Sequence, residues 1–170
     1  GDRGAAVGFL TVVQRLKAAY DEQPDQIAAV SAEVAARIRD LLAPGGEREG
    51  VPTAQSLHAT AAYYRAGFDE THGGLEGQRK FPSSLSVRML LRHHRRTGNV
   101  ESLTMATRTL EAMAAGGIHD QVGGGFHRYA TDPEWIVPHF EKMLYDNALL
   151  ASAFLEAYQI TGREDFAQVV

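Results

Sequence analysis

The chain has 170 residues, of which 17 are Lys or Arg and 21 are Asp or Glu, so its formal net charge is −4. With 44% hydrophobic and 22% charged residues it has the balance of one folded globular domain, and is too apolar for a disordered chain. The acidic balance argues against nucleic acid as a partner, and zero cysteines exclude disulfides, zinc–thiolate sites and thiol redox chemistry within the chain.

Helical periodicity dominates from the start. Phe9, Val12, Val13, Leu16 and Tyr20 share a face of a first helix, and Ile27, Val30, Val34, Ile38 and Leu41 a face of a second, opened by Pro24. Residues 1–42 therefore read as an N-terminal helical segment leading into the main body. Residues 43–52, with two Pro, three Gly and three charges, read as a connector. Thr53 is the N-cap of a third helix that Gly67 ends. Ser83 or Ser84 opens a fourth, with Leu85, Met89 and Leu90 inward. Its basic end, Arg92-His-His-Arg-Arg96, reads as surface that complements the helix C-terminus. A fifth helix spans about 100–114, with Val100, Leu103, Leu110 and Met113 on one side. Pro138 opens a sixth that runs to about Ile160, with Leu150, Phe154 and Leu155 deeply buried, and a seventh follows Gly162. His58 and His72 have no partner that the sequence identifies.

Connections alternate in length. Thr97-Gly98-Asn99 and Thr161-Gly162-Arg163 are tight links 64 residues apart, whereas 68–82 and 116–137 are long and glycine-rich. Alternating helices put both short links at one end and both long loops at the other, the pattern of helical hairpins in a toroid with the long loops as its working face. A bundle with incidental loops is the alternative. The predicted class is all-α, with at most a short β-hairpin within 124–137, where 126–129 pairs with 135–137.

The second long loop and the turns after it concentrate polar groups: Asp120, His127, Arg128, Tyr129 and Trp135, then His139, Glu141, Lys142, Tyr145 and Asp146. Polar residues at the end of an otherwise apolar helix outline a pocket floor. A helix start favours a neutral imidazole at His139. The structural alternative has Glu141 suiting the helix N-terminus and Lys142 pairing with Asp146 one turn on. His139 and Asp146 are ~10 Å apart along such a helix, too far for a shared metal. No His-Glu-x-x-His is present, and no Lys-Ser/Thr follows the triple glycine as a phosphate loop requires. No metal and no cofactor are therefore expected. Lys80, in the first long loop, is a further binding candidate.

The run Gly116-Gly-Ile-His-Asp-Gln-Val-Gly-Gly-Gly-Phe-His-Arg-Tyr129 is followed after Trp135 by Val137-Pro-His-Phe-Glu-Lys-Met-Leu-Tyr-Asp-Asn-Ala148. Together they closely resemble the thioredoxin-domain-containing family of spermatogenesis-associated protein 20, and Gly73-Gly74 with Lys80-Phe81-Pro82 match a second block. The resemblance runs from about Phe9 to the end; His119 stands where Tyr is usual, and Leu75-Glu76 where Phe-Gly is. Members of that family join a thioredoxin-like domain to an (α/α)6 toroid of six helical hairpins, of the glycosidase and sugar-epimerase type. The resemblance implies that residues 53–170 are the first hairpins of an incomplete toroid. It also implies that the thioredoxin-like domain and the remaining hairpins are covalently attached partners, so that this chain is a piece of something longer. The ligand it implies is a carbohydrate or polyol. Chemistry like that of N-acylglucosamine 2-epimerase would use His127 and His139 as acid and base. Glycoside cleavage would use two of the carboxylates Asp120, Glu141 and Asp146. Arg128, Tyr129, Trp135, Lys142, Tyr145 and Lys80 would bind the substrate. The alternative is a non-catalytic binding or scaffold module for the redox domain, favoured if Glu141, Lys142 and Arg128 only bridge one another. With no apolar run near the ~18 residues of a membrane span and no signal-like start, the expected setting is cytoplasmic, without a membrane partner.

Overall fold

A computed structural model describes residues 4, 6–43, 53–82 and 84–169, which fall into two compact units, Gly1–Val51 and Pro52–Val170. All of the 43–52 connector but Ala43, and the Ser83 alternative for the fourth helix start, lie outside the described residues.

The first unit is a helical hairpin, α1 (Phe9–Glu22) and α2 (Pro24–Leu42), turned at Gln23. Pro24 occupies the first turn of α2, where its missing N–H costs nothing. Neither helix buries a residue, and Phe9 is 85% exposed, so the apolar faces read from the sequence are present and uncovered.

The second unit holds α3 (Ala54–Ala66), α4 (Ser84–Thr97), α5 (Val100–Ala115), α6 (Leu144–Thr161) and α7 (Glu164–Gln168). Thr53 Oγ1 accepts from Gln55 N at 3.3 Å and Asn99 Oδ1 from Ser102 N at 2.7 Å, so α3 and α5 start on side-chain caps. The two tight links repeat the same bonds. Gly98 and Gly162 take left-handed φ of 74° and 69°, and their N–H groups reach His94 O and Tyr158 O at 2.7 Å. Thr97 and Thr161 donate to His93 O and Ala157 O at 2.7 Å. They accept in turn from Asn99 N and Arg163 N, at 3.1 and 3.3 Å. α4 packs on both α5 and α6 around Leu90, Leu91, Leu110, Met113, Leu150 and Phe154, with Phe166 of α7 and the loop residues Ile118, Phe126 and Trp135 completing the core.

The described residues contain no named strand, only single antiparallel bridges, so the all-α class stands; in place of the expected pairing of 126–129 with 135–137, residues 128–131 pair with 137–141. Four local expectations need correction. Leu85 and Val100 are 68% and 69% exposed, because Val87 and Leu91 take the inward positions of α4 and Met105 and Leu110 those of α5. Leu155 is half-exposed, unlike Leu150 and Phe154 on the opposite side of α6. His93 is buried within the basic run, accepting or donating to His58 Nδ1 at 3.0 Å and Ser102 Oγ at 2.8 Å, which also gives His58 its partner. Finally, α6 begins at Leu144, not Pro138. Residues 137–141 are held extended instead: Thr131 N donates to Val137 O at 2.8 Å, His139 N to Tyr129 O at 2.9 Å and Arg128 N to Glu141 O at 2.6 Å. Those tertiary bonds outweigh the helix-start preference of Pro138, and His139 consequently sits on no helix dipole.

Candidate functional site

Both long loops are built on one device that the sequence reading missed, an Asp-x-x-x-Gly-Gly segment closed by a distant lysine. In the first, Asp69 Oδ1 accepts from Thr71 N and His72 N at 2.9 and 2.8 Å; in the second, Asp120 Oδ1 accepts from Val122 N and Gly123 N at 3.0 and 2.8 Å. Asp69 N reaches Gly74 O and Asp120 N reaches Gly125 O, each at 2.9 Å, and single bridges Phe68–Leu75 and His119–Phe126 flank the turns. Lys80 Nζ donates to Asp69 Oδ2 at 2.5 Å and Gly73 O at 2.6 Å. Lys142 Nζ repeats this with Asp120 Oδ2 at 2.6 Å and Gly124 O at 2.7 Å. The identical spacing of Asp and Gly-Gly was the available signal. The lysines, 11 and 22 residues downstream, follow no fixed interval.

The two clamps differ in cover. The Lys80 side chain is 1% exposed and lies under the ring of Trp135, 5.5 Å from its centroid, whereas Lys142 is 37% exposed. Trp135 is itself buried at φ 67°, an unusual angle for a non-glycine residue, with its indole N–H on His72 O at 2.8 Å. Burial pushes the Asp69 carboxyl up, but Lys80 and the N–H groups of His72 and Thr71 prevail and hold it below its ordinary range. The Gly123 N–H, Lys142 and the Val122 N–H likewise hold the Asp120 carboxyl well below its ordinary range. Asn147 then fixes the second loop to α6: its Oδ1 accepts from Phe126 N at 2.7 Å, and its Nδ2 donates to Phe126 O at 3.0 Å. A Cβ on Gly125 would come within 2.8 Å of that Oδ1.

Beside the second clamp, the extended arms 128–131 and 137–141 carry a half-exposed cluster. The bond from Arg128 N to Glu141 O skips one residue relative to the Ala130–Pro138 bridge, which leaves Phe140 as an outward bulge. Arg128 Nη1 lies 3.0 Å from Glu141 Oε2, and the same oxygen is 3.5 Å from His139 Nδ1. The His139 ring stacks on Tyr129 at 4.8 Å, and Tyr129 on Phe81 at 5.0 Å, giving a three-ring stack with its Phe81 end exposed. Glu141 holds the Arg128 guanidinium more firmly charged, with smaller contributions from Tyr145 and Tyr129. Burial pushes the Asp146 carboxyl up against the opposing pull of Arg128.

Of the residues singled out from the sequence, Arg128 and His139 thus meet at Glu141 and Tyr129 stacks on His139, while Tyr145 and Asp146 share only the electrostatic influence of Arg128. Asp120 and Lys142 are spent on the second clamp, and the Lys142–Asp146 pairing expected on a helix gives way to Lys142–Asp120 because Lys142 precedes α6. Lys80 and Trp135 are buried in the first clamp, not presented at an open face. His127 and His139 have different neighbours: the His127 ring meets Phe140 edge-on at 5.4 Å, and its buried Nδ1 has no hydrogen-bond partner among the described residues. No three His, Asp or Glu side chains among the described residues converge as metal ligands.

No family model matches the chain. Spermatogenesis-associated protein 20 of Homo sapiens is 38% identical over 172 residues, covering 96% of this chain and 22% of that protein; the Rattus norvegicus protein is 37% identical over the same length. The chain therefore spans about a fifth (22% and 21%) of the length of the curated relatives it matches. Among solved structures, a cellobiose 2-epimerase from Spirochaeta thermophila aligns with a TM-score of 0.56 at 18% identity, over 68% of this chain and 33% of that one. A glycoside hydrolase family 76 mannosidase from Bacteroides thetaiotaomicron aligns with a TM-score of 0.53 at 20% identity, over 68% and 34%. No helix among the described residues is long and apolar enough to cross a membrane. By sequence the chain is similar to spermatogenesis-associated protein 20 along nearly its whole length, as residues 116–148 suggested, and by fold it consists of helical hairpins of the (α/α)6 toroid kind.

Proposed function

We propose that the half-open face around Arg128 binds a carbohydrate or polyol and carries acid–base chemistry on it. The observation that supports this reading is the meeting of Arg128 and His139 at Glu141 beside the Phe81–Tyr129–His139 stack. An exposed flat ring offers an apolar surface to the C–H face of a sugar, while a charged pair at its edge hydrogen-bonds hydroxyls. In this reading Asp146, whose carboxyl burial keeps protonated to higher pH, is the acid, and His139, oriented by Glu141, is the base. His127 is a second imidazole whose unpartnered Nδ1 awaits a hydrogen-bonding group. Asp120 and Lys142 position the loop without touching substrate. The reaction is of the epimerase or glycosidase class, which the neighbouring toroids named above make the first to test. The remaining hairpins and a thioredoxin-like domain are attached parts of the longer protein, and its setting is cytoplasmic.

Screening the full-length protein against a panel of mono- and disaccharides, by thermal shift and then product analysis, tests this directly. Arg128→Ala should lose binding, and Asp146→Asn should keep binding and lose turnover. Turnover that survives Asp146→Asn overturns the assignment. A second reading, a non-catalytic binding or scaffold module for a redox domain, is favoured by the Arg128–Glu141 and Lys142–Asp120 pairs, which already satisfy one another. Binding without any product in the full-length protein would select it.

A further inference from the structure

At the other end of the same helices, away from the long loops, the C-terminal halves of α4 and α6 border a half-open cavity of about 830 Å³ lined by Arg92, Arg95, Arg96, Glu156, Gln159 and Ile160. Arg88, Arg92, Arg95 and Arg96 fall at intervals of four, three and one along α4, so all four lie within about 100° of its circumference. Like charges one turn apart repel, and the cavity holds a single carboxylate to offset them. That carboxylate is already committed: Glu156 Oε1 accepts from Arg88 Nε at 2.8 Å and Arg92 Nη2 at 2.9 Å, and Oε2 from Arg92 Nε at 3.3 Å. Arg95 and Arg96 make no ion pair among the described residues. Helix capping does not employ them either. His93 O and His94 O at the end of α4 are taken by Thr97 Oγ1 and Gly98 N, and the equivalent carbonyls of α6 by Thr161 Oγ1 and Gly162 N.

Three guanidinium groups with one engaged carboxylate give this half-open cavity a positive potential. Guanidinium forks match tetrahedral oxyanions, and a doubly charged group offsets two of them where a carboxylate offsets one. We propose that this cavity binds the phosphate group of a small phosphorylated molecule, with Arg95 and Arg96 as its main ligands and Arg92 shared with Glu156. The site is separate from the Arg128 face and does not depend on what that face does.

Inorganic phosphate and pyrophosphate, titrated into the full chain at constant ionic strength with acetate as the singly charged control, supply the test. Calorimetry gives affinity, and the guanidinium Nε–H resonances of Arg92, Arg95 and Arg96 give location. Pyrophosphate should bind at least 10-fold more tightly than acetate and move those three resonances. The double variant Arg95→Gln/Arg96→Gln, checked for its fold by circular dichroism, should weaken it at least 10-fold. Glu156→Gln, which releases Arg88 and Arg92, should tighten it several-fold, an effect that damage to the fold cannot mimic. Acetate binding as well as pyrophosphate, or an unchanged affinity in the double variant, overturns the proposal. So does polyglutamate that displaces pyrophosphate at lower concentration, which would assign the patch to an acidic polypeptide.

Discussion

The Asp69–Lys80 and Asp120–Lys142 clamps use the same backbone bonds and the same pairing of a lysine with both a carboxylate and a glycine carbonyl. They differ in what lies above them. Trp135 roofs the first, and the lysine disappears into the core; among the described residues no aromatic ring covers the second in the same way, and it stands beside the Arg128 cluster. One local chemistry therefore serves as a core element in one loop and as a mount for a half-open face in the other. What decides is a single aromatic ring delivered from the second loop to the first, so the two loops are built as one body. Function is then to be sought in the side chains that the open clamp holds in place, not in the clamp itself.

The largest expected effect comes from breaking the closed clamp. Lys80→Ala leaves Asp69 with no counter-charge in a nearly closed site, and removing one partner of a buried pair costs ~3–5 kcal/mol. Urea unfolding checks this, and a loss no larger than that of Lys142→Ala would erase the distinction between the clamps. Matched glycine substitutions sharpen it. Gly73→Ala meets Thr109 Cα at 2.9 Å as well as a φ of 69°, so an overpacking cost of ~1–3 kcal/mol adds to ~1–2 kcal/mol for the left-handed backbone. Gly124→Ala, with φ 71° and nothing within 4 Å of the added carbon, should show only the left-handed cost of ~1–2 kcal/mol.

Acid titration separates the groups by sign. The Asp69 and Asp120 carboxyls are held low, so each contributes stability that is complete above the unfolded value of about 3.9 and is lost as pH falls through its folded value. Lys80→Ala should flatten the acid limb of stability below about pH 4. Asp146 runs the other way. Its raised carboxyl means that the folded state holds a proton the unfolded state has released, so stability falls as pH rises from about 3.9 through the folded value. Asp146→Asn should therefore raise the urea midpoint slightly at neutral pH while leaving it unchanged in acid. A midpoint lowered at neutral pH would contradict the burial of that carboxyl. The smallest change is expected from Lys142→Ala, because Asp120 keeps its backbone bonds to Val122 and Gly123 and the loop keeps Asn147.

What the sequence disclosed follows from the range of the forces involved. The helices, the Thr53 cap and the two Thr-Gly links depend on residues within a turn of one another, and these were legible. The start of α6 was not, because Pro138 signals locally while the bonds of 137–141 go to 128–131 across a turn. His93 hides in a basic run because its partner His58 is 35 residues away. The candidate cluster was legible as a set of residues but not as a geometry. Lys142 and Asp146 are four apart and would pair on a helix, yet Lys142 is drawn to Asp120, 22 residues back, and Asp146 is left half-buried without that partner.

The central claim is that ligand meets the open clamp's cluster and not the closed one. It is tested most directly by side-chain and backbone NMR of the full-length protein titrated with the sugar that gives the largest thermal shift. The account predicts that the resonances of Arg128, Tyr129, His139, Tyr145 and Asp146 move together along one binding curve, while Asp69, Lys80 and Trp135 stay still. Movement centred on Asp69, Lys80 and Trp135, or a full panel of sugars that moves no resonance of the Arg128 cluster, would contradict it.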